Sequence, residues 1–304
     1  MKVTKRIITL TAVVALLLSM ASCSLLQKKP NFTKKVTADN IEVTIRDDMT
    51  EVDEIKNDDN YITGYKWNGY GMNITKVGAN DATAFKFSGE SGDTLLKKVG
   101  ESGKNPSEIK KFGDISYIQL IDTTSKQELY STVYVTEKGY EFYLFEFYTL
   151  PKNGDKYLSE YETIVSSVRV IEEPAKTIDI TIDGITLTVD GDAYAKADDT
   201  YICSRYTVNL FNTNITKTLA SPEKFAEATI VAGNYKTADG QKSEIKTTPG
   251  GTTYFEGMAS ELYATHYIKE INGKLYYIML ATIVPTEESL KEEFNTIADS
   301  AHAA

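Results

Sequence analysis

The chain has 304 residues and a net charge of −10 at neutral pH. That length exceeds what one hydrophobic core usually fills, and the acidic balance excludes the basic face that a nucleic-acid binder needs. Two cysteines and two histidines are too few for a disulfide-rich scaffold or a multi-histidine zinc site.

Lys2, Lys5 and Arg6 precede an almost wholly apolar run over residues 7–18. The run is shorter than the roughly 20 residues a spanning helix needs, and it has the length of a signal-peptide core. Ser19, Ala21 and Ser22 then lead into Cys23. The segment Leu18-Ser19-Met20-Ala21-Ser22-Cys23 resembles the lipobox of bacterial lipoproteins, with Met20 departing from the leucine usual at that place. The resemblance implies cleavage after residue 22 and a diacylglyceryl thioether on Cys23, with further acylation such as palmitate. The expected location is the extracytoplasmic face of the cell membrane, held there by the lipid on Cys23. Residues 23–39 carry Lys28, Lys29, Lys34, Lys35 and Pro30 and read as a flexible tether. With Cys23 acylated, Cys203 has no partner in the chain, and a buried inert thiol is its expected state.

Two copies of one domain follow, over residues 40–171 and 178–304. Glu128-Leu129-Tyr130-Ser131-Thr132-Val133-Tyr134-Val135-Thr136-Glu137 matches Glu261-Leu262-Tyr263-Ala264-Thr265-His266-Tyr267-Ile268-Lys269-Glu270 at an offset of 133. The same offset carries Phe142-Tyr143-Leu144-Phe145 onto Leu275-Tyr276-Tyr277-Ile278, and Tyr161, Ile164 and Ser167 onto Phe294, Ile297 and Ser300. Chance similarity between strands does not keep one offset through strand, turn, strand and helix. The boundary is expected near Glu172-Glu173-Pro174, where proline blocks helix continuation.

Within each copy the elements come in one order. Ile41, Val43 and Ile45 alternate, as do Ile178, Ile180 and Ile182 and, after Asp183-Gly184, Ile185, Leu187 and Val189; period two predicts strands and, in the second copy, a hairpin. Further strands are expected from Tyr65 to Ile74 and from Tyr201 to Leu210. Asp93 is the expected cap of a helix over residues 94–99, and Ser221 with Pro222 and Glu223 starts its counterpart. Two long strands then turn at Lys138-Gly139 or Asn272-Gly273. The strand after the turn, Phe142-Tyr143-Leu144-Phe145 or Leu275-Tyr276-Tyr277-Ile278, is apolar on both faces, so it must be central and covered twice. Tyr157, Tyr161, Ile164, Val165 and Val168 fall on one helical face, repeated by Leu290, Phe294, Ile297, Ala298 and Ala301. The fold class is therefore α+β in two tandem repeats, each an antiparallel sheet flanked by helices. The aromatic hairpin, the strand exits at Thr149 and Thr282, and the final helix of the form Tyr-x-x-x-Tyr/Phe-x-x-Ile-x-x-Ser resemble the PsbP-like family. That resemblance implies an α/β/α sandwich around a curved sheet and no activity, its relatives being binding or assembly proteins.

Catalytic signatures do not assemble. No Gly-x-Ser-x-Gly occurs, and Gly100-Glu101-Ser102-Gly103-Lys104 lacks the first glycine of a phosphate loop and has Asn105 where a hydroxyl should follow. Asp47-Asp48, Asp58-Asp59, Asp190-Gly191-Asp192 and Asp198-Asp199 offer oxygens for calcium, but without EF-hand spacing, and turns favour aspartate anyway. No catalytic residue, cofactor or metal site is expected. Tyr65, Trp67 and Tyr70 are candidates for an exposed ligand-facing aromatic platform, with strand packing as the competing reading. The expected function is a non-enzymatic, membrane-anchored binding or interaction module with an envelope protein partner and no nucleic acid. The alternative is a cell-envelope hydrolase using acidic residues.

Overall fold

A computed structural model describes residues 30–57, 60–122, 128–216 and 220–304. The signal segment and Cys23 lie outside the described residues. In chain order the strands and helices are β1 (Phe32–Ala38), β2 (Ile41–Arg46), β3 (Thr50–Asn57), β4 (Asn60–Lys66), β5 (Gly71–Val77), α1 (Ala79–Phe87), α2 (Gly92–Gly100), β6 (Lys110–Phe112), β7 (Ile115–Asp122), β8 (Leu129–Lys138), β9 (Glu141–Thr149), α3 (Leu158–Ser166) and β10 (Arg169–Val170). The series then repeats as β11 (Thr177–Ile182), β12 (Ile185–Asp190), β13 (Tyr194–Ala197), β14 (Thr200–Ile202), β15 (Thr207–Thr216), α4 (Pro222–Gly233), β16 (Lys246–Thr247), β17 (Thr253–Ala259), β18 (Leu262–Ile271), β19 (Lys274–Thr282), α5 (Glu288–Ser300) and β20 (His302–Ala303). The chain divides into two compact units. One takes the described residues up to Ala82 with Glu90–Pro174, the other Thr83–Gly89 with Ala175–Ala304.

Both halves build the same two sheets. A seven-stranded antiparallel sheet runs β3-β4-β5-β9-β8-β7-β6 in the first and β13-β14-β15-β19-β18-β17-β16 in the second. A three-stranded sheet runs β1-β2-β10 and β11-β12-β20. The tether reading of residues 23–39 is corrected over its described part. Phe32–Ala38 is a strand paired with β2 from Ala38↔Ile41 back to Phe32↔Arg46, because Val36 and Ala38 share the alternation of the β2 apolar face. The third strand of each small sheet is only two residues long and carries no periodic signal.

Strands β9 and β19 are the central members of their sheets. On β9, Tyr143, Phe145 and Phe147 are buried against one layer and Phe142, Leu144 and Tyr148 against the other. The first layer comprises the small sheet and α3, with Ile41, Val43, Ile45, Tyr161, Ile164 and Val165 in one core; each such buried side chain contributes roughly 1.5–3 kcal/mol. In the second unit Leu187, Tyr206, Ile278, Leu280, Phe294 and Ala298 repeat it. The opposite face is covered by the helix between the meander and the long hairpin: Leu95 and Leu96 of α2 are buried, and Ala226 and Ile230 of α4 pack with Phe255, Ile268 and Leu275. Helix α4 starts as expected, with Ser221 Oγ accepting from Lys224 N. For α2 the N-cap is Ser91, not Asp93, which is the second residue of the helix. The β18–β19 turn has both central residues left-handed, Asn272 at φ 52° and Gly273 at φ 75°, the conformation that matches strand twist.

A charge clamp fixes the last helix of each unit. Arg46, at the end of β2, donates from Nη1 to Glu160 Oε2 on α3 (2.7 Å) and from Nε and Nη2 to Asp48 (2.9 Å each). Its guanidinium lies 3.6 Å from the centre of the Trp67 ring. Glu293 is the matching carboxylate on α5, and it takes its guanidinium from Arg205 in the β14–β15 turn at 2.6–2.9 Å. Arg46 is 5% exposed, whereas the Arg205 side chain is 49% exposed. Breaking a buried pair costs about 3 kcal/mol or more, and an exposed one under about 1 kcal/mol. Glu160→Gln is therefore expected to destabilise the first unit by about 3 kcal/mol, and Glu293→Gln the second by less than about 1 kcal/mol. Urea unfolding checks this, with the single tryptophan, Trp67, reporting on the first unit and far-UV dichroism on both.

Candidate functional site

The residues singled out from the sequence are held in packing and turns. Tyr65 and Tyr70 are 3% and 0% exposed, and half-buried Trp67 packs beneath Arg46. Tyr70 meets Tyr161 edge-on at 4.8 Å and Trp67 at 5.7 Å. The expected platform is thus an internal aromatic cluster. Strand β4 ends at Lys66, and Trp67 N donates to Tyr70 O (3.0 Å) across a turn, so strand alternation does not reach Trp67. Cys203 sits at the matching turn, its N–H donating to Tyr206 O at 2.8 Å, where a continuous strand had been expected. Its thiol is fully buried, and that burial pushes its pKa up.

The acidic pairs serve local structure. Asp47 accepts from Thr33 N and Lys34 N (2.9 Å each), Asp190 pairs with Arg205, and Asp192 accepts from Ser204 N at 3.0 Å. Asp58 and Asp59 lie outside the described residues. Among the described residues no three His, Cys, Asp or Glu side chains come together as a metal site. No helix among them is long and apolar enough to cross a membrane.

The second unit carries a half-open cleft of about 160 Å³ where the start of α5 stands off β17 and β18. Glu256 and Met258 of β17 share a face with Thr265 and Tyr263 of β18, and Thr286 and Lys291 close the other side. Glu256 accepts from Lys246 Nζ at 3.0 Å and Lys291 Nζ at 3.2 Å. Burial alone would raise its pKa; the two ammonium groups outweigh that and hold it below the usual carboxylate range. The cleft is smaller than the roughly 300–1,000 Å³ of ordinary ligand pockets. It is near the roughly 150 Å³ that holds one benzene, the size of a single side chain. Val284, 60% exposed, stands just beyond it. Its lining comes from separated stretches of chain, so no local motif announces it.

Each unit also carries an ionisable group with a perturbed pKa on the α2 or α4 side of its central strands. His266 is fully buried on β18, stacked on Phe255 at 4.5 Å, with Nδ1 2.5 Å from Tyr277 Oη. Burial lowers its pKa to about 4. Glu146 on β9 is half-buried; burial first, and then the charge of Asp122, raise its pKa to about 7. Sequence reasoning passed over Glu146, although the fixed offset sets it against Met279 in the second unit and so marks a charge peculiar to the first.

No protein-family description matches the sequence, and no curated protein matches it. Among solved structures, the chain is similar to the solution structure of cyanobacterial PsbP (CyanoP) from Synechocystis sp. PCC 6803, at 13% identity and a TM-score of 0.30 over 49% of this chain and 98% of that one. It is also similar to the apo immunity protein TplEi of the T6SS from Pseudomonas aeruginosa, at 10% identity and a TM-score of 0.25 over 88% of this chain and 96% of that one. A third likeness is to the Tle4–Tli4 complex, at 10% identity and a TM-score of 0.23 over the same shares.

The two buried groups give the units opposite responses to pH. Between pH 4.5 and about 7 the folded first unit holds the Glu146 proton that the unfolded chain has released, so stability falls as pH rises through that window. Between about 4 and 6.5 the unfolded chain protonates His266 and the folded unit does not, so stability falls as pH drops. Each effect is on the order of 3 kcal/mol when complete. Glu146→Met and His266→Val, which install the residue of the other repeat, are expected to remove the respective slopes in unfolding followed from pH 4 to 8.

Proposed function

We propose that the chain is a lipid-anchored extracytoplasmic binding protein made of two PsbP-like units, and that it works by holding a protein partner rather than by turning over a substrate. The single observation that carries this reading is the size and lining of the second unit's cleft. A recess for one side chain, with tyrosine, methionine and proline beside a paired Glu256, has the character of an interface anchor point. The Cys203 thiol and the His266 imidazole are both sealed in packing, which removes two common nucleophile and base candidates from solvent. The N-terminal segment supports the address: its charge order, apolar length and small residues before Cys23 are those of a lipoprotein signal, and two or more acyl chains give stable anchoring.

One observation favours a second reading, the acid-using hydrolase. Glu146 near pKa 7 beside Asp122 is the kind of perturbed carboxyl that a general acid requires. Under that reading Glu146→Gln abolishes a turnover that the purified protein displays.

The binding reading predicts that the intact lipidated protein captures a partner from its own membrane, and that Tyr263→Ala or Ala238→Trp lowers recovery at least tenfold with the fold intact. Cys23→Ser should move the protein from the membrane to the soluble fraction and abolish palmitate labelling. Unchanged recovery in both cleft variants, or robust turnover in broad substrate screens, would contradict it.

A further inference from the structure

Strand register sets the second unit's cleft beside its counterpart in the first unit, residue by residue. Lys110 lies opposite Tyr117, Gln119 opposite Thr132, and Ile121 opposite Tyr130. Lys246 lies opposite Tyr254, Glu256 opposite Thr265, and Met258 opposite Tyr263. Thr132 and Thr265, like Tyr130 and Tyr263, are matched by the fixed offset. In both units the lysine reaches the side chain on the neighbouring strand: Lys110 Nζ donates to Gln119 Oε1 at 2.6 Å, and Lys246 Nζ to Glu256 Oε1 at 3.0 Å. In the first unit a third group completes the site. Asp155, in the 3-10 turn ahead of α3, accepts through Oδ1 from Gln119 Nε2 and, at 3.1 Å, from Tyr130 Oη.

Three differences open the same place in the second unit. The offset carries Asp155 onto Glu288, whose side chain is 83% exposed and lies 3.5 Å from Lys291 instead. Tyr263 lines the cleft, and its hydroxyl has no hydrogen-bond partner among the described residues. The third difference is an insertion. Ile121 N donates to Lys104 O, six residues before Lys110, whereas Met258 N donates to Lys236 O, ten residues before Lys246. The four extra residues fold back in a turn closed by Thr237 N on Gln241 O, and Thr237 and Ala238 wall the cleft. One unit thus fills the site with its own carboxylate; the other lacks that plug and adds a wall. The strand group is exchanged as well, a carboxamide in the first unit and a carboxylate in the second. Glu256 takes one ammonium on each oxygen, Lys246 on Oε1 and Lys291 on Oε2, which leaves about half of a carboxylate's roughly four lone-pair sites open.

We infer that the cleft takes a neutral carboxamide, the side chain of a glutamine or asparagine presented by the protein partner. This rests on the binding role proposed above and names the group held there. The guest amide donates to Glu256, as Gln119 donates to Asp155 with the roles of strand and guest exchanged. Its oxygen accepts from Tyr263 Oη, as Asp155 accepts from Tyr130. Other side chains fit less well. A lysine or arginine meets the ammonium groups of Lys246 and Lys291, and an aspartate or glutamate meets the half-buried Glu256, where water screens like charges poorly. An apolar side chain covers the Tyr263 hydroxyl and the open Glu256 lone pairs without satisfying them. A serine or threonine hydroxyl can both donate and accept, but leaves much of the cleft's 160 Å³ unfilled.

The test is an NMR titration of the full chain, followed on backbone amides, with the Nα-acetyl methylamides of glutamine, glutamate, lysine, methionine and serine, which differ only in side chain. The glutamine probe is expected to shift the amides of Thr237, Ala238, Gly257 and Tyr263 saturably, and to bind about fivefold or more tighter than the other four. Glu256→Gln installs the residue of the first unit and should reverse the preference in favour of the glutamate probe. Tyr263→Phe removes one hydroxyl and should weaken the glutamine probe about threefold or more; it keeps the inference testable if the change at Glu256 unfolds the unit, which thermal melts check. The preference is a ratio between probes on one protein, so a loss of stability alone does not mimic its reversal. No saturable shifts at these residues, equal binding of the five probes, or a preference that Glu256→Gln leaves unchanged would overturn the inference. Partner capture that still depends on Tyr263 and Ala238 beside any of these results leaves the binding role standing, so the two fail separately.

Discussion

The burial of one strand on both faces governs each unit. β9 and β19 carry apolar and aromatic side chains in both alternating positions, so neither can lie against water on either side. Each must be the centre of its sheet, and each face must be covered by something else. The terminal helix and the small sheet cover one face; the helix ahead of the long hairpin covers the other. The order of elements along the chain is one that delivers these covers: the small sheet is begun before the large sheet and finished after it, by the two residues that follow the last helix.

Once that frame is fixed, the two copies are free to differ where packing does not decide. Glu160 and Glu293 occupy the same place on the last helix, yet their guanidinium partners come from different elements, the end of β2 and the β14–β15 turn, and from different depths of burial. His266 replaces a valine, Glu146 a methionine, and Gly64 a threonine, all on the face of the sheet away from the last helix. Those differences are where the units acquire separate chemistry, while the face toward the last helix keeps its aromatic core in both.

The sequence made the frame legible because its signals are local or periodic. The fixed offset revealed the repeat, the two-faced strand revealed the sheet centre, and Asn272-Gly273 and Ser221-Pro222 marked a turn and a cap through their backbone demands. Other features were hidden for equally physical reasons. Trp67 and Tyr70 look surface-capable in a short alternating run, but the strand stops at Lys66 and the turn folds both rings against α3 and its preceding 3-10 turn (Gly154–Tyr157). Phe32–Ala38 reads as a tether because lysines mask its inward Val36 and Ala38. The cleft is built by Thr237, Glu256, Tyr263 and Thr286, which only strand pairing and the position of α5 bring together.

In the function proposed above, the second unit's cleft is the point where a partner is held. Hydrogen exchange on the lipidated protein in its own membrane, with and without its captured partner, tests this most directly. The account predicts slowed exchange over residues 237–238, 256–258, 263–265 and 285–291, with little change on the strands around Trp67. Protection confined to other surfaces, or no protection anywhere on addition of the partner, would contradict it.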